Sequence, residues 1–158
     1  MSPTTPDTAS PGSASTGRAS TGRASTGVGR VLVAVYAILA IAATGRSVFQ
    51  IIDRFDEAPI AFSLSALAGA VYIVATLALA LGRRRLALAT ICFELAGVLV
   101  VGTISVIAPA LLGLDGLDPF GREATVWSAY GAGYLLVPLV LPVLGLLWLL
   151  RRRTTVRA

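Results

Sequence analysis

The sequence predicts an all-α protein, an antiparallel bundle of four transmembrane helices with a disordered N-terminal tail. Three observations predict this fold class. Hydrophobic residues make up 56% of the 158-residue chain and charged residues only 13%, a balance that soluble domains rarely show. The apolar residues fall into four long runs, and a helix needs about 20 apolar residues to cross a bilayer. Arginines cluster at one end of each run, which is typical of the cytoplasmic loops of membrane proteins.

Residues 1–29 form the predicted tail. The segment is rich in Ser, Thr, Gly and Ala, and a five-residue unit, Ser-Thr-Gly-Arg-Ala, repeats from Ser15 onward. Such a segment has no apolar surface to bury, so we expect a disordered cytoplasmic tail. Binding of Arg18 and Arg23 to anionic lipid is the alternative.

The predicted membrane domain covers residues 30–153, and residues 154–158 form a short cytoplasmic tail. The four spans are expected at about 31–52, 60–81, 86–112 and 126–150. Each span must be helical, because lipid offers backbone groups no hydrogen-bond partner.

The connection between the second and third spans is very short. Pro59 should open the second span, where its missing N–H costs nothing, and Gly82 should end it. Because the third span begins almost at once after Gly82, these two spans should be antiparallel neighbours.

Basic residues predict the orientation. The N-terminal tail, the loop between spans two and three and the C-terminal tail together hold ten arginines: 18, 23, 30, 83, 84, 85, 151, 152, 153 and 157. The other two loops hold only Arg54 and Arg122. This bias predicts a multi-pass protein of the plasma membrane with both termini in the cytoplasm.

The composition disfavours several functions. Histidine is absent and Cys92 is the only cysteine, so we expect no metal or other cofactor. A nucleophile–base set is also missing, so we expect no enzyme activity. The net charge of +5 lies beside the apolar runs and not in a nucleic-acid-binding motif, so no nucleic-acid partner is expected. The expected partners are the lipid bilayer and either further copies of the chain or another membrane protein.

Glu94 is the only charged residue inside the third span. It lies eight residues after Leu86, which is about 12 Å below the cytoplasmic surface at about 1.5 Å per residue. A carboxyl group at this depth should face the bundle, be paired or be protonated. Tyr72 of the second span lies near the same level and is a candidate hydrogen-bond partner. Two interpretations stay open: Glu94 is a hydrogen-bonded packing residue, or it relays protons or cations.

Arg46 is the second polar residue at depth. It lies six residues before Ile52, about 9 Å from the outer boundary. Its long stem lets the guanidinium group reach outward, and Gln50 and Asp53 follow on nearly the same helix face. Arg46 is therefore either a snorkelling residue bonded to one of these two or a site for an anionic headgroup or substrate in the outer half.

The predicted fourth span begins with polar and aromatic side chains that approach the depth of Arg46: Trp127, Ser128, Tyr130 and Tyr134. A cation–π or hydrogen-bond contact with Arg46 is expected here. A direct pair between Arg46 and Glu94 is disfavoured, because about 10 Å of depth separates them. Pro138 and Pro142 lie on one face and should kink this span near its middle.

Several motifs resemble those of a small actinobacterial family of uncharacterised integral membrane proteins. They lie between about residues 31 and 153: Arg46-Ser-Val-Phe-Gln50, Phe55-Asp-Glu-Ala-Pro59, Glu94-Leu-Ala-Gly97, Thr125-Val-Trp-Ser128, Gly133-Tyr134 and Pro138-Leu-Val-Leu-Pro142. The resemblance implies a four-span membrane protein but no activity. Small multidrug resistance transporters also have four spans and one buried acid, but theirs is in the first span, which excludes membership.

The sequence thus predicts a non-enzymatic accessory or structural component of the cell envelope. The alternative is a small proton-coupled or lipid-handling transporter that uses Glu94. The candidate intramembrane polar residues are Glu94, Arg46, Gln50, Tyr72 and Tyr134.

Overall fold

All secondary structure in the described part of the chain is helical. The computed structural model describes the backbone of residues 20–114 and 124–154 and the side chains of residues 27–114 and 124–151. The α-helices in these ranges are α1 (Ser20–Arg54), α2 (Pro59–Ala80), α3 (Arg84–Ile107) and α4 (Val137–Thr154). Short 3-10 helices connect them at Phe55–Glu57, Pro109–Leu112 and Ser128–Tyr134.

Three of the described helical segments are long and apolar enough to cross a membrane. They are Gly27–Glu57, Pro59–Ala80 and Arg84–Ile107. A fourth candidate is the bent pair Ser128–Tyr134 and Val137–Arg151. These helices are compatible with a multi-pass membrane protein.

Helix α1 is longer than the predicted first span. It begins at Ser20, so backbone helix extends into the segment that was expected to be disordered up to residue 29. Helix propagation adds one backbone hydrogen bond per residue, and no proline interrupts residues 20–54. Residues 1–19 of the predicted tail, including Arg18, lie outside the described residues.

The predicted ends of the second span are confirmed. Pro59 occupies the first turn of α2, and Gly82 follows the helix with a φ of 65°. The N–H of Arg83 donates to the carbonyl of Ala78 over 2.8 Å, and the N–H of Gly82 donates to the carbonyl of Leu79 over 3.2 Å. A left-handed glycine with such bonds is a common helix ending. It reverses the chain within a few residues and starts α3 at Arg84.

Helix α3 ends earlier than predicted, at Ile107 instead of Leu112. Ala108 has an extended φ of −144°, and a 3-10 helix then covers Pro109–Leu112. A residue before proline is sterically excluded from the helical region, so Pro109 ends the helix although the apolar run continues.

The prediction of one helix over residues 126–150 is wrong. The 3-10 helix Ser128–Tyr134 and helix α4 meet at an angle of 98°. Positive φ values mark this region, at Ala129, Tyr130, Gly131, Leu135 and Leu136. Pro138 lies in the first turn of α4, where proline is well tolerated, and only Pro142 lies inside the helix. The bend therefore precedes the prolines and does not lie between them.

The core forms where the helices face each other. Helix α1 packs along α2, and α3 packs against α4 and against the 3-10 helix Ser128–Tyr134. The largest fully buried side chains include aromatic and aliphatic residues of α1, α2, α3 and the stretch before the 3-10 helix Ser128–Tyr134: Tyr36, Phe62, Tyr72, Ile91, Val98 and Trp127. Large apolar side chains also cover the outer surface, and Ile52 is 75% exposed, as lipid-facing residues are.

Candidate functional site

Glu94 lies at the centre of a buried polar cluster. Its side chain is fully buried, and the Tyr36 hydroxyl donates a hydrogen bond of 2.7 Å to Glu94 Oε2. Glu94 Oε1 is equally buried and has no hydrogen-bond partner among the described residues. A buried carboxyl oxygen without a donor is costly, so this atom is an unsatisfied polar group inside the bundle.

Helical periodicity explains why Glu94 points inward. The buried face of α3 consists of Ala87, Ile91, Glu94, Val98 and Val101, at spacings of four, three, four and three residues. Such spacing places all five side chains on one stripe. The carboxyl group thus faces the interior of the bundle, which is one of the three outcomes that the sequence allowed.

Tyr36 is a site residue that the sequence analysis missed. It lies on the buried stripe of α1, which begins at Leu32 and continues after Tyr36 with small and polar residues: Ala40, Ala43, Ser47 and Gln50. A tyrosine on such a stripe faces a neighbouring helix. That pattern was the available signal, although it did not identify which helix supplies the partner.

Tyr72 lies in the cluster, but it does not form the hydrogen bond to Glu94 that was predicted for it. Its ring centre is 6.3 Å from that of Tyr36. Its hydroxyl accepts a 3.2 Å hydrogen bond from Nε1 of Trp127. Tyr36 occupies the place that was expected for Tyr72, because α1 carries a phenol to Glu94 and α2 directs its own toward the indole.

Trp127 closes the cluster from the side of α3. A Cβ atom added to Gly97 would lie 2.7 Å from Trp127 Cζ3, so only glycine leaves room for the indole at this point. The ring of Phe93 meets the indole edge-on, with ring centres 6.5 Å apart. Trp127 was expected at the outer start of a fourth helix. It is instead 1% exposed and part of the core.

Arg46 contacts the bent segment, which is residues 124–136, immediately before α4. Its Nη2 donates a 2.8 Å hydrogen bond to the carbonyl of Ala124. Its guanidinium carbon lies 5.9 Å from the ring centre of Tyr134, within the range of a cation–π interaction. The predicted contact between Arg46 and the aromatic residues is therefore present for Tyr134. Gln50, one turn further along α1, is buried, whereas Asp53 is exposed.

Polar side chains hold the backbone of the bent segment. The Ala129 N–H donates to Ser105 Oγ over 2.8 Å, and the Thr125 N–H donates to Ser128 Oγ over 2.9 Å. The hydroxyl groups of Thr103 and Tyr130 lie 3.1 Å apart. Non-helical backbone needs such partners wherever water is excluded, and the Ser105 and Ser128 hydroxyls provide them here.

The site residues thus form two groups. Glu94, Tyr36 and Tyr72 gather at the middle of the bundle, while Arg46 and Tyr134 meet at the bent segment. The carboxyl and guanidinium groups are engaged with different partners, as their predicted depths indicated. Within the described ranges, no three His, Cys, Asp or Glu side chains are grouped as metal ligands.

The fold and these two groups define a class: an all-helical protein with three to four helices able to cross a membrane and polar groups enclosed between them. Comparisons with protein-family models, curated proteins and solved structures give no match to the chain. The resemblance to an actinobacterial membrane-protein family therefore stays a prediction.

Proposed function

We propose that this protein is a non-enzymatic accessory or structural component of the plasma membrane. It crosses the bilayer four times, with the bent segment and α4 forming the fourth crossing and both termini in the cytoplasm. The observation that carries the proposal is the enclosure of Glu94. This side chain is fully buried beside Tyr36 and Tyr72, and it is not among the residues that line the clefts around Trp148 or the cleft at the start of α2.

The remaining polar contacts support the same function. Arg46, Ser105 and Trp127 each take part in a bond between residues 124–129 and another part of the chain, so they join this stretch to α1, α3 and α2. In lipid, interhelical hydrogen bonds and close packing at small residues hold a bundle together. Polar groups that serve the bundle in this way are not available to a substrate.

Affinity purification tests this function. The full-length tagged protein, extracted from its native membrane in mild detergent, should carry a stoichiometric partner protein or form a homo-oligomer. Glu94→Gln should retain that partner, because the amide keeps the shape of the side chain and an acceptor for Tyr36. Recovery of a lone monomer would contradict an accessory role.

A small proton-coupled or lipid-handling transporter is the second candidate, and one specific observation favours it. Glu94 Oε1 is buried without a partner among the described residues, and intramembrane carboxyl groups commonly mark proton relays. The break of 98° before α4 also resembles the discontinuous helices of many transporters.

Reconstitution into proteoliposomes distinguishes the two candidates. If Glu94 couples protons, Glu94→Gln abolishes pH-dependent flux, while the control Glu57→Gln, on the exposed connection before α2, leaves flux unchanged. Equal flux through wild type and Glu94→Gln would exclude proton coupling at this residue.

A further inference from the structure

Two apolar clefts flank Trp148 at the end of the bundle where α1 begins and α4 ends. The α1–α4 cleft has a volume of about 670 Å³ and is lined by Val28, Val31, Leu144 and Leu147, among others. The α1–α2 cleft has a volume of about 400 Å³ and lies between Val33 to Ala37 and the end of α2. Both volumes fall within the range of sites for small ligands.

Trp148 lies between the two clefts and indicates their level in the membrane. Its indole lines both of them and packs on α1 at Gly29, where an added Cβ atom would lie 2.7 Å from Trp148 Cζ2. Tryptophan prefers the level of the lipid headgroups. The clefts therefore lie beside the acyl chains and open near the headgroups of the adjacent leaflet.

The rim of the clefts is cationic. Arg151 lines the α1–α4 cleft and Arg30 lines the α1–α2 cleft. The acidic side chains of the described residues lie elsewhere: Glu94 is in the middle of α3, and the others, Asp53, Asp56 and Glu57, are at the opposite end of α1. An anionic headgroup at this rim meets the positive charge of Arg30 and Arg151, and none of the described acidic side chains lies at this end of the bundle.

From this geometry we propose that the clefts form a binding site for an anionic phospholipid. The α1–α4 cleft takes an acyl chain against Val31 and Leu144, and Arg30 and Arg151 bind the phosphate on either side of Trp148. The proposal goes beyond the accessory function, because the site uses none of the residues around Glu94. Basic pockets between membrane helices are a known way to bind anionic headgroups.

Lipid titration tests the site. Delipidated, full-length protein in detergent is titrated with phosphatidylglycerol and, in parallel, with phosphatidylcholine, while bound lipid is counted by native mass spectrometry and thermal unfolding is followed. We expect phosphatidylglycerol to bind and to raise the unfolding temperature more than phosphatidylcholine does. Arg30→Gln/Arg151→Gln should weaken phosphatidylglycerol binding by about tenfold or more, because each arginine near an anionic headgroup contributes a large share of its affinity.

A matched pair of arginines provides the control. Arg83→Gln/Arg85→Gln removes the same charge at the same end of the bundle, but neither residue lines the clefts. It should leave phosphatidylglycerol binding within about twofold of wild type. Equal losses in both double variants would show diffuse surface attraction and would overturn the site.

A cleft-filling variant keeps the proposal testable if the arginine variants do not fold. Leu144 is 50% exposed, so Leu144→Trp is tolerated by the core and should reduce lipid binding by occupying the acyl-chain space. Unchanged binding in this variant, or equal binding of both lipids by wild type, would overturn the proposal. So would a dimer that Leu144→Trp dissociates and phosphatidylglycerol does not affect, because the cleft would then hold a second copy of the chain.

Discussion

At the residue scale, the hydrogen bond from Tyr36 to Glu94 joins helices that are far apart along the chain. The two residues are 58 positions apart, and their bond is buried. Helix α1 packs mainly on α2, whereas α3 packs on α4, on the bent segment and on α2. This bond therefore joins α1 directly to α3.

Removal of the Tyr36 hydroxyl should destabilise the fold. Tyr36→Phe keeps the ring but leaves Glu94 Oε2 without its donor, and a buried acceptor left unpaired costs about 1–3 kcal/mol. We expect a loss of this size in the free energy of unfolding, measured by chemical denaturation in detergent micelles. Tyr134→Phe is the control, because the contact of Tyr134 with Arg46 uses the ring and not the hydroxyl.

A double-mutant cycle isolates the bond itself. If Tyr36 acts through Glu94, Tyr36→Phe should cost less in a Glu94→Leu background, because the carboxyl group is already gone. Additive losses would contradict the assignment of Tyr36 as the partner of Glu94.

Gly97→Ala should also destabilise the protein. The new methyl group would lie 2.7 Å from Trp127, and overpacking of this kind costs about 1–3 kcal/mol. The control is Gly45→Ala, because a Cβ atom there meets nothing within 4 Å and alanine is the better helix former. Thermal unfolding should show a lower midpoint for Gly97→Ala and an unchanged or higher one for Gly45→Ala. A similar response of both variants would contradict the packing of Trp127 against α3.

The sequence predicted the buried position of Glu94 in this cluster but not its partner. The spacing of apolar residues in α3 is sufficient to place Glu94 on the buried face. It does not reveal which of several helices lies opposite Glu94, and depth alone favours Tyr72 over Tyr36. Which side chain meets Glu94 depends on how three helices pack together. The spacing of apolar residues in one helix does not contain that information.

At the scale of elements, the bent segment between α3 and α4 departs most from the prediction. Its residues form a continuous apolar run with α4, and hydropathy alone therefore favours one long helix. Side chains from α3, such as Ser105, satisfy its backbone instead. Neither the left-handed conformation of Ala129 nor that of Leu135 is marked by residue type. The presence of α1, α2 and α3 was predictable from the length of their apolar runs, and the ends of α2 were predictable because Pro59 and Gly82 are local signals.

Leu135→Gly should be neutral or stabilising despite the loss of a large side chain. Leu135 has a φ of 55° and is 89% exposed. The left-handed conformation costs a non-glycine residue about 1–2 kcal/mol, and glycine adopts it freely. The control Leu99→Gly removes an exposed leucine from the middle of α3 and should cost about 1 kcal/mol. The free energies of unfolding of the two variants test this prediction. An equal loss in both variants would contradict the left-handed conformation of Leu135 in the bent segment.

At the scale of the whole molecule, charge is distributed unequally between the two ends of the bundle. The end that carries the first turns of α3 holds Arg83, Arg84 and Arg85, whereas the opposite end holds the exposed Asp56 and Glu57. Under the positive-inside rule, the end that is richer in arginine lies in the cytoplasm. The proposed orientation therefore depends on the distribution of charge and not on any single contact.

Cysteine labelling tests the orientation. In a Cys92→Ser background, Asp56→Cys should react with a membrane-impermeant maleimide in intact cells, because it lies on the proposed outer side. Arg85→Cys should react only after permeabilisation. The reverse pattern would place the termini outside, and labelling of both variants in intact cells would contradict the proposed crossings.

The two tryptophans of the chain also lie in contrasting surroundings. Trp127 is enclosed by Gly97 and Phe93, whereas Trp148 lines clefts at the bundle surface. Consequently the molecule contains its own pair of optical reporters. In vesicles with brominated acyl chains, the fluorescence of the Trp127→Phe variant, which retains Trp148, should be quenched strongly. That of Trp148→Phe should persist until the core opens, so emission from Trp127 would report unfolding and emission from Trp148 would report contact with lipid.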